Sequence, residues 1–353
     1  MDFAIRTTPV AFWQYNARAF QAQQAMFVSL LPRRSMAASK GENEKLLLLK
    51  QANLTLLLRR ATLLASIAGS TNHMGRGDQI MHLKVAAIQV NTRDHPEENL
   101  AAVERLLDRA ADMGAQFACL PEYWSYLGPY AAFDQVAQTV PGPFIERLQE
   151  MARRHNMIVH GGSIVERHPE LPGKFYNTCV LIDRAGEIVA KYRKIHLFDV
   201  NLTNGEKHYE SERIAPGSEI VTAEVDGITF GLSICYDLRF PELYRLLALR
   251  GAQIILVPAG FTLHTGRDHW EVLLRARAIE NLCYVVAPAQ VGSYPPNKQC
   301  FGRSMIVDPW GLVLAQAPDV PGVTLAEIDL EAIDRARAQI PSLENRRPET
   351  YRW

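Results

Sequence analysis

The sequence predicts a mixed α/β fold in which helices cover the outer faces of sheets whose inner faces pack together. From Met81 onward, short apolar segments typical of buried strands alternate with segments of helical periodicity. Turn sequences separate consecutive segments, and no linker rich in proline or serine interrupts residues 81–340. We therefore expect a single domain over residues 81–353.

The elements follow from spacing and turn chemistry. The first strand is predicted over Lys84–Val90, and the apolar residues after it recur at helical spacing until Gly114. Asp183–Gly186, Asp226-Gly227 and Asp308–Gly311 are typical of tight turns and predict hairpins. Further strands are predicted over Phe117–Leu120, Met157–Ile164, Tyr176–Ile182, Glu187–Tyr192, Ile220–Val225, Ile228–Ile234, Ile254–Pro258 and Cys283–Pro288, and helices over Phe144–Asn156, Pro241–Arg250, Trp270–Asn281 and Leu330–Gln339.

The charge is balanced over the whole chain but not along it. The 353 residues contain 38 basic and 38 acidic side chains, which gives no indication of a nucleic acid or membrane partner. Residues 1–80 contain ten basic and only four acidic side chains. We expect residues 1–80 to be a poorly ordered extension without a catalytic role, either a targeting segment or a mis-started reading frame that truly begins at Met81.

Several protein classes are excluded by missing patterns. No uninterrupted apolar run is long enough to span a membrane, so we expect a cytoplasmic protein, or an organellar one if residues 1–80 are a transit peptide. The five cysteines form no CxxC pair and are expected to be buried free thiols. Neither a phosphate-binding glycine loop nor HExxH or GxSxG occurs, so we expect no cofactor and no metal.

Three residues are candidates for catalysis because of their positions in a fold of this kind. Cys235 ends a strand shortly before a helix that starts at Pro241, so the helix dipole should lower the pKa of its thiol; the structural alternative is a small buried apolar side chain. Glu122 ends an apolar strand and could act as a general base, or it could be a solvated turn residue. Lys194 could stabilise an oxyanion, or it could be an ordinary surface lysine.

Taken together, these segments resemble the nitrilase, or carbon–nitrogen hydrolase, superfamily. The resemblance rests on Leu120–Glu122, Tyr192–Asp199 and Ile234–Glu242, which occur in that order, with support from His269–Asn281 and Gly302–Gly311. It covers residues 84–350 and does not extend to residues 1–80. It implies a four-layer α-β-β-α sandwich and hydrolysis of non-peptide carbon–nitrogen bonds.

The resemblance also implies roles for individual residues. Cys235 would be the nucleophile, Glu122 the general base and Lys194 the oxyanion stabiliser. Glu210 best matches a second family glutamate that supports the lysine, with Glu206 and Glu212 as alternatives. Substrate contacts are expected from Arg239, Tyr123, Phe261 and Thr265, although Arg239 could instead form a salt bridge with Asp237 or Glu242.

Within the superfamily, the sequence is most similar to the amidase branch that acts on deaminated glutathione and on ω-amides of 2-oxo acids. We expect a small anionic amide as substrate, namely deaminated glutathione, which would be cleaved to 2-oxoglutarate and cysteinylglycine. The alternatives are an ω-amidase, a nitrilase or an N-carbamoyl-amine hydrolase, and, in a different class, a non-catalytic regulatory protein of the same fold. Residues 203–216 and 291–300 are expected to form the rim of the site. The family pattern also predicts a homodimer or a larger homo-oligomer.

Overall fold

The structure is a computed structural model that describes residues 82–202, 205 and 207–350. The expectations for residues 1–80 and for Glu206 therefore lie outside the described residues. The strands are β1 (His82–Gln89), β2 (Phe117–Cys119), β3 (Ile158–Arg167), β4 (Phe175–Ile182), β5 (Ile188–Arg193), β6 (Asp199–Asn201), β7 (Lys207–Tyr209), β8 (Thr222–Val225), β9 (Ile228–Leu232), β10 (Ile254–Leu256), β11 (Tyr284–Ala287), β12 (Val291–Tyr294), β13 (Lys298–Phe301), β14 (Met305–Val307), β15 (Val313–Gln316) and β16 (Gly322–Asp329). The helices are α1 (Pro96–Asp112), α2 (Phe133–Val136), α3 (Pro143–His155), α4 (Pro241–Leu249), α5 (Leu263–Asn281) and α6 (Glu331–Gln339).

Two six-stranded sheets form the centre of the described domain. The first has the strand order β16-β1-β2-β3-β4-β5, and the second has the order β15-β14-β11-β10-β9-β8. In each sheet three central strands run parallel, namely β1, β2 and β3 in one and β9, β10 and β11 in the other. The outer strands pair antiparallel, as expected for the hairpins that the turn sequences predict.

The side chains of the first sheet alternate between two apolar layers. On β1, Val85 and Ala87 face the second sheet, whereas Ala86 and Ile88 belong to the layer formed with α1 and α3. Between the sheets, the rings of Phe117 and Phe230 lie 5.1 Å apart. Helices α4 and α5 contribute to the apolar layer that includes the second sheet. The order helix, sheet, sheet, helix confirms the predicted four-layer sandwich.

The turn at Asp226-Gly227 shows why its sequence was informative. Both residues have positive φ angles, 54° and 76°, as a tight two-residue hairpin between β8 and β9 requires. Helix α5, in contrast, begins earlier than predicted, at Leu263 instead of Trp270. Thr262 caps it, and Gly266 within its first turns packs so closely against Phe301 that a Cβ would lie 2.3 Å from that side chain. Tertiary packing therefore outweighs the low helix propensity of this segment.

The described residues bear on two sequence-based expectations. All five cysteines, which lie in this part of the chain, are buried free thiols, as predicted. In the same part of the chain no helix has the length and apolarity needed to cross a bilayer.

Candidate active site

The candidate catalytic residues lie at the carboxyl ends of strands from both sheets. Glu122 lies three residues beyond the end of β2, and Cys235 lies three residues beyond the end of β9. The third residue, Lys194, directly follows β5. Ligand sites in open α/β sheets form at such strand ends. The fold therefore brings side chains together that are up to 113 positions apart in the sequence.

A buried lysine lies between two buried glutamates. Lys194 Nζ is 3.0 Å from Oε1 of Glu122 and 2.8 Å from Oε2 of Glu210. The side chains of all three residues are at most 5% exposed. Burial by itself would lower the pKa of Lys194, but the charges on Glu122 and Glu210 outweigh it and raise that pKa well above its usual value. The ammonium is therefore charged at physiological pH.

The second glutamate is held in its ionised form. Burial would raise the pKa of Glu210, but Lys194 and the backbone N–H of Phe198, which donates to Oε2 at 2.8 Å, hold that pKa below its usual range. The predicted partner of the lysine is thus Glu210. The alternative Glu212 is exposed to solvent.

Neighbouring donors form hydrogen bonds with the carboxylates of both Glu122 and Glu210. Asn177 Nδ2 donates to Oε1 of Glu122 at 2.9 Å and to Oε1 of Glu210 at 3.1 Å. The Tyr123 hydroxyl donates to Oε1 of Glu210 at 2.9 Å, and the backbone N–H of Gly260 donates to Oε2 of Glu122 at 2.8 Å. Both carboxylates are therefore fixed in orientation from several sides.

Cys235 occupies a strained position beside this group. Its φ of 47° is in the left-handed region, where a residue with a Cβ is disfavoured. The strand-end geometry is held by its backbone N–H, which donates to the carbonyl of Pro258 at 2.9 Å. Its side chain lines the same cavity as the Glu122 carboxylate and Gly260. Local strain of this kind is concentrated at functional sites.

The predicted effect of the helix dipole on this thiol is wrong. Burial and the charge of Glu122 raise the pKa of Cys235 well above its usual value, although Lys194 and Gly260 oppose them. Helix α4 does start at Pro241, but a 3-10 turn over Cys235–Arg239 separates the thiol from it. Because desolvation disfavours the anion, the resting side chain is a neutral thiol. A thiolate can therefore form only if the proton moves to a base in contact with it.

A free backbone donor lies next to the thiol. The N–H of Tyr236, the first residue after Cys235, makes no hydrogen bond to any described residue. Lys194 contributes a second donor, which is positively charged, to the same cavity. Together they supply the type of donors that stabilise a negative oxygen developing beside the sulfur.

A cavity of about 280 Å³ contains these groups. Its lining includes all four of the predicted substrate-contact residues, Arg239, Tyr123, Phe261 and Thr265. Both predicted rim segments also contribute to the lining, the first through His208 and Glu210, and the second through Tyr294, Pro295, Pro296 and Lys298. A concave, mostly apolar site with a few convergent polar groups is typical of small-molecule binding.

Arg239 is directed into the site and does not form the alternative salt bridge. Its Nη1 is 3.2 Å from Nδ1 of His269, and its guanidinium lies 5.3 Å from the ring centroid of Phe261. Among the described residues it forms no ion pair with Asp237 or Glu242. Asp237 is instead buried and bound to Tyr192 and His196.

Sequence analysis did not name Asn177 or Tyr130, and it included Lys298 only as part of the predicted rim segment 291–300. Asn177 lies between Tyr176 and Thr178 on β4, so its local sequence does not set it apart. Tyr130 lines the cavity, where burial and the charge of Glu210 raise its pKa. Lys298 also lines it, with Nζ 3.2 Å from Nδ1 of His208. Nothing in the local sequence distinguishes Tyr130 or Lys298 from surface residues. In the described part of the chain no cluster of side chains is suited to hold a metal ion.

Comparisons with known proteins show that this layered fold is that of a hydrolase of carbon–nitrogen bonds. The carbon-nitrogen hydrolase family matches residues 84–338. A Synechocystis sp. protein named deaminated glutathione amidase is 42% identical over 264 residues, which cover 74% of this chain and 97% of that protein. The chain belongs to the carbon–nitrogen hydrolase family.

Solved structures are similar over the same region. The Caenorhabditis elegans NitFhit protein has a TM-score of 0.70 and 37% identity, over 77% of this chain and 66% of that longer one. The amidase from Nesterenkonia sp. AN1, as a glutamate-to-glutamine mutant with covalent addition of the acetamide moiety of fluoroacetamide at its active site cysteine, has a TM-score of 0.64 and 27% identity, over 79% of this chain and 98% of that one. The predicted family and fold are thus confirmed.

Proposed function

We propose that this hydrolase is an amidase that cleaves deaminated glutathione to 2-oxoglutarate and cysteinylglycine, a metabolite-repair reaction, with Cys235 as nucleophile. The observation that carries the chemistry is that the Cys235 thiol lines the same cavity as the Glu122 carboxylate and the Lys194 ammonium, which are 3.0 Å apart. The name of the Synechocystis relative supports the choice of substrate.

The first half of the reaction forms a thioester. Glu122 removes the proton from the Cys235 thiol while the sulfur attacks the amide carbon, and the carbonyl electron pair moves onto oxygen. Lys194 and the N–H of Tyr236 stabilise that oxyanion. When the oxyanion collapses, the carbon–nitrogen bond breaks and the departing amine takes the proton from Glu122. The acyl group remains on sulfur.

The second half releases the acid. Glu122, again unprotonated, removes a proton from water as the water oxygen attacks the thioester carbon. Collapse of the second tetrahedral species breaks the carbon–sulfur bond, and the leaving sulfur takes the proton back from Glu122. Free enzyme and carboxylic acid result. Glu210 keeps Lys194 in place throughout, since it contacts the same ammonium from the other side.

The charges that line the cavity favour a substrate with two carboxylates. Besides Lys194, the lining contains Arg239, from the turn that carries Cys235, and Lys298, from the β12–β13 hairpin. Deaminated glutathione has a 2-oxo acid carboxylate and a glycine carboxylate, whereas 2-oxoglutaramate has only the first. An arginine is suited to bidentate binding of a carboxylate, and a second cation on another element suits the second charge.

The proposal is tested by side-by-side kinetics of the full chain on deaminated glutathione and 2-oxoglutaramate. We expect kcat/KM to favour deaminated glutathione by more than roughly tenfold, which is about 1.4 kcal/mol in the barrier. A reverse preference of that size would make the chain an ω-amidase, the second candidate. The Cys235→Ala protein should be inactive on both, and equal turnover by parent and variant would contradict the thioester mechanism.

Other candidate classes give different results in the same assays. A nitrilase or N-carbamoyl-amine hydrolase would turn over a nitrile or an N-carbamoyl amine faster than either amide. A non-catalytic regulatory protein would turn over none of these compounds. The buried Glu122, Lys194 and Cys235 group speaks against that last class, because even paired charges are costly to bury.

We also propose that the chain forms a homodimer. The support is a group of exposed apolar side chains on neighbouring elements, namely Leu246 on α4, Val272 and Ile279 on α5, and Trp310 and Leu312 in the β14–β15 turn. Clustered exposure of this kind is typical of interaction surfaces. Sedimentation velocity should give a dimer mass that falls to the monomer mass in Val272→Asp.

We also propose that the protein is cytoplasmic, or organellar if residues 1–80 act as a transit peptide. Microscopy of the full chain and of residues 81–353 distinguishes these two locations.

A further inference from the structure

Within the described part of the chain, Asn177 is the one neutral side chain that donates to both carboxylates of the site. It lies on β4, is fully buried, and uses both amide hydrogens, one toward Glu122 and one toward Glu210. An ionised carboxylate can accept hydrogen bonds but cannot donate them. The amide nitrogen of Asn177 must therefore face both carboxylates, and this fixes the rotamer of the side chain.

The opposite end of this amide is left without a partner. Asn177 Oδ1 is buried and accepts no hydrogen bond from any described residue. A buried carbonyl without a donor destabilises the folded state. An apolar side chain of the same shape would avoid that penalty, so a requirement of the site explains why an amide is found here.

The contacts of Glu122 show what that requirement is. Its Oε1 accepts from Lys194 at 3.0 Å and from Asn177 at 2.9 Å, which occupies both lone pairs of that oxygen. Among the described residues its Oε2 accepts only from the N–H of Gly260, at 2.8 Å, and so keeps one lone pair for a proton. The proton from Cys235 can thus arrive only at Oε2.

We infer that Asn177 is a positioning residue that saturates Oε1 of Glu122, so that the Cys235 proton is transferred to and from Oε2, and that ties this carboxylate to Glu210. This inference rests on the proposed function. The amide adds two donors without adding a charge, which a second lysine could not do beside Lys194. An aspartate of the same shape would place a third carboxylate against the first two.

Loss of these donors should also change the acid limb of activity. A hydrogen bond to an ionised carboxylate stabilises the ionised form, and the one from Asn177 helps to lower the pKa of Glu210, so its removal should raise that pKa. The titratable and charged groups that act on this pair from the surrounding elements are Lys194, Cys235, Tyr123, Tyr130 and Cys300. Replacing Asn177 removes none of these groups.

The experiment compares the parent with Asn177→Leu, which keeps the shape and removes the donors. We expect kcat to fall roughly 10- to 100-fold with KM within about threefold, because the defect lies in proton transfer and not in binding. The acid limb of kcat/KM should move up by roughly one pH unit. The pH midpoint for alkylation of Cys235 by iodoacetamide, read by peptide mapping, should move in the same direction.

Thr178→Val is the matched control. Thr178 is the next residue on β4 and is equally buried, and its hydroxyl donates at 2.6 Å to Glu166, a carboxylate that the mechanism does not use. A purely structural loss would affect both variants, whereas only Asn177→Leu should move the two pH profiles. A folded Asn177→Leu protein with both profiles unmoved would overturn the inference.

Two further measurements distinguish a failure of the inference from a failure to fold and from a failure of the proposed function. If Asn177→Leu does not fold, Asn177→Ser, which can donate to one carboxylate only, takes its place. Its profiles should shift upward by less, and unshifted profiles would count against the inference in the same way. If the parent cleaves neither amide, the proposed function fails. The alkylation profiles of parent and variant would still show whether Asn177 controls the proton on Cys235.

Discussion

Asp237 Oδ1 accepts a hydrogen bond from Nδ1 of His196 at 2.7 Å, and this contact joins the turn that begins with Cys235 to the segment that begins with Lys194. Asp237 is fully buried, and its other oxygen accepts from the Tyr192 hydroxyl at 2.7 Å and from the backbone N–H of Ile234 at 2.8 Å. One carboxylate therefore sets the position of the nucleophile relative to the ammonium.

Asp237→Asn tests this connection. The amide presents two N–H groups in a pocket built from donors, so we expect the free energy of unfolding in urea to fall by about 2–3 kcal/mol. Turnover should fall roughly 10- to 100-fold, because the sulfur and the ammonium are no longer held at a fixed distance. A variant with the parent's stability and turnover would show that the contact is dispensable.

Glu122→Gln should separate the acidity of the thiol from the activity of the enzyme. Burial is the main cause of the raised pKa of Cys235, and the charge of Glu122 is the next. Because glutamine removes that charge while Lys194 remains, the thiol pKa should fall and iodoacetamide alkylation should have a lower pH midpoint. Amide turnover should nevertheless fall roughly 10²- to 10⁴-fold for lack of a base. An unmoved or higher midpoint would contradict the assignment of Glu122 as the neighbour of the thiol.

Lys194→Met should make stability depend on pH in a new way. In the parent, the lowered pKa of Glu210 adds stability above the unfolded pKa of glutamate, about 4.3, and this stability is lost as pH falls through the lowered folded value. Without the ammonium, the buried carboxylates are uncompensated when ionised. The variant should lose about 3–5 kcal/mol at pH 8 and distinctly less at pH 5, measured by urea unfolding.

Lys191→Met provides the comparison for that measurement. Lys191 lies on β5, 3.3 Å from Glu166, and its side chain is 40% exposed. Solvent screens such a pair, so its loss should cost at most about 1 kcal/mol at either pH. Equal pH dependence in the two variants would indicate that the Lys194 site carries no special electrostatic stabilisation.

Gly162→Ala should lower activity by displacing the backbone next to Glu122. Gly162 has a φ of 53°, and a Cβ would lie 2.2 Å from the carbonyl oxygen of Pro121, next to Glu122. We expect turnover to fall at least roughly tenfold, since the backbone that carries the base must shift. Gly173→Ala is the control, because its φ is 76° but nothing lies within 4 Å of the added carbon. It should cost about 1–2 kcal/mol of stability and leave turnover unchanged.

Lys298→Ala should distinguish the two substrates. If Lys298 binds the glycine carboxylate, KM for deaminated glutathione should rise roughly tenfold or more, whereas the kinetics on 2-oxoglutaramate, which lacks that group, should change little. Lys84→Ala, at an exposed position on β1 outside the cavity lining, should change neither. A parallel loss on both substrates would assign Lys298 to the shape of the rim instead.

Much of the site could be predicted from local sequence because its residues lie at strand ends with distinctive neighbours. Pro121, Ile195 and Tyr236 flank the base, the lysine and the cysteine, and each segment is informative by itself. Asn177 could not be identified in the same way, since its role depends on two glutamates that lie 55 and 33 positions away. The predicted low pKa of Cys235 was wrong for a similar reason, because desolvation depends on what surrounds a group in space.

The sequence alone determined the alternation of strands and helices, the turns, and the family, because these depend on residues close together in the chain. Only the tertiary structure decided that Glu122, Lys194, Glu210 and Cys235 share one cavity, and that the thiol is neutral at rest. Burial and Coulomb interactions act through space and over short distances. Their outcome therefore depends on how the two sheets place their strand ends side by side.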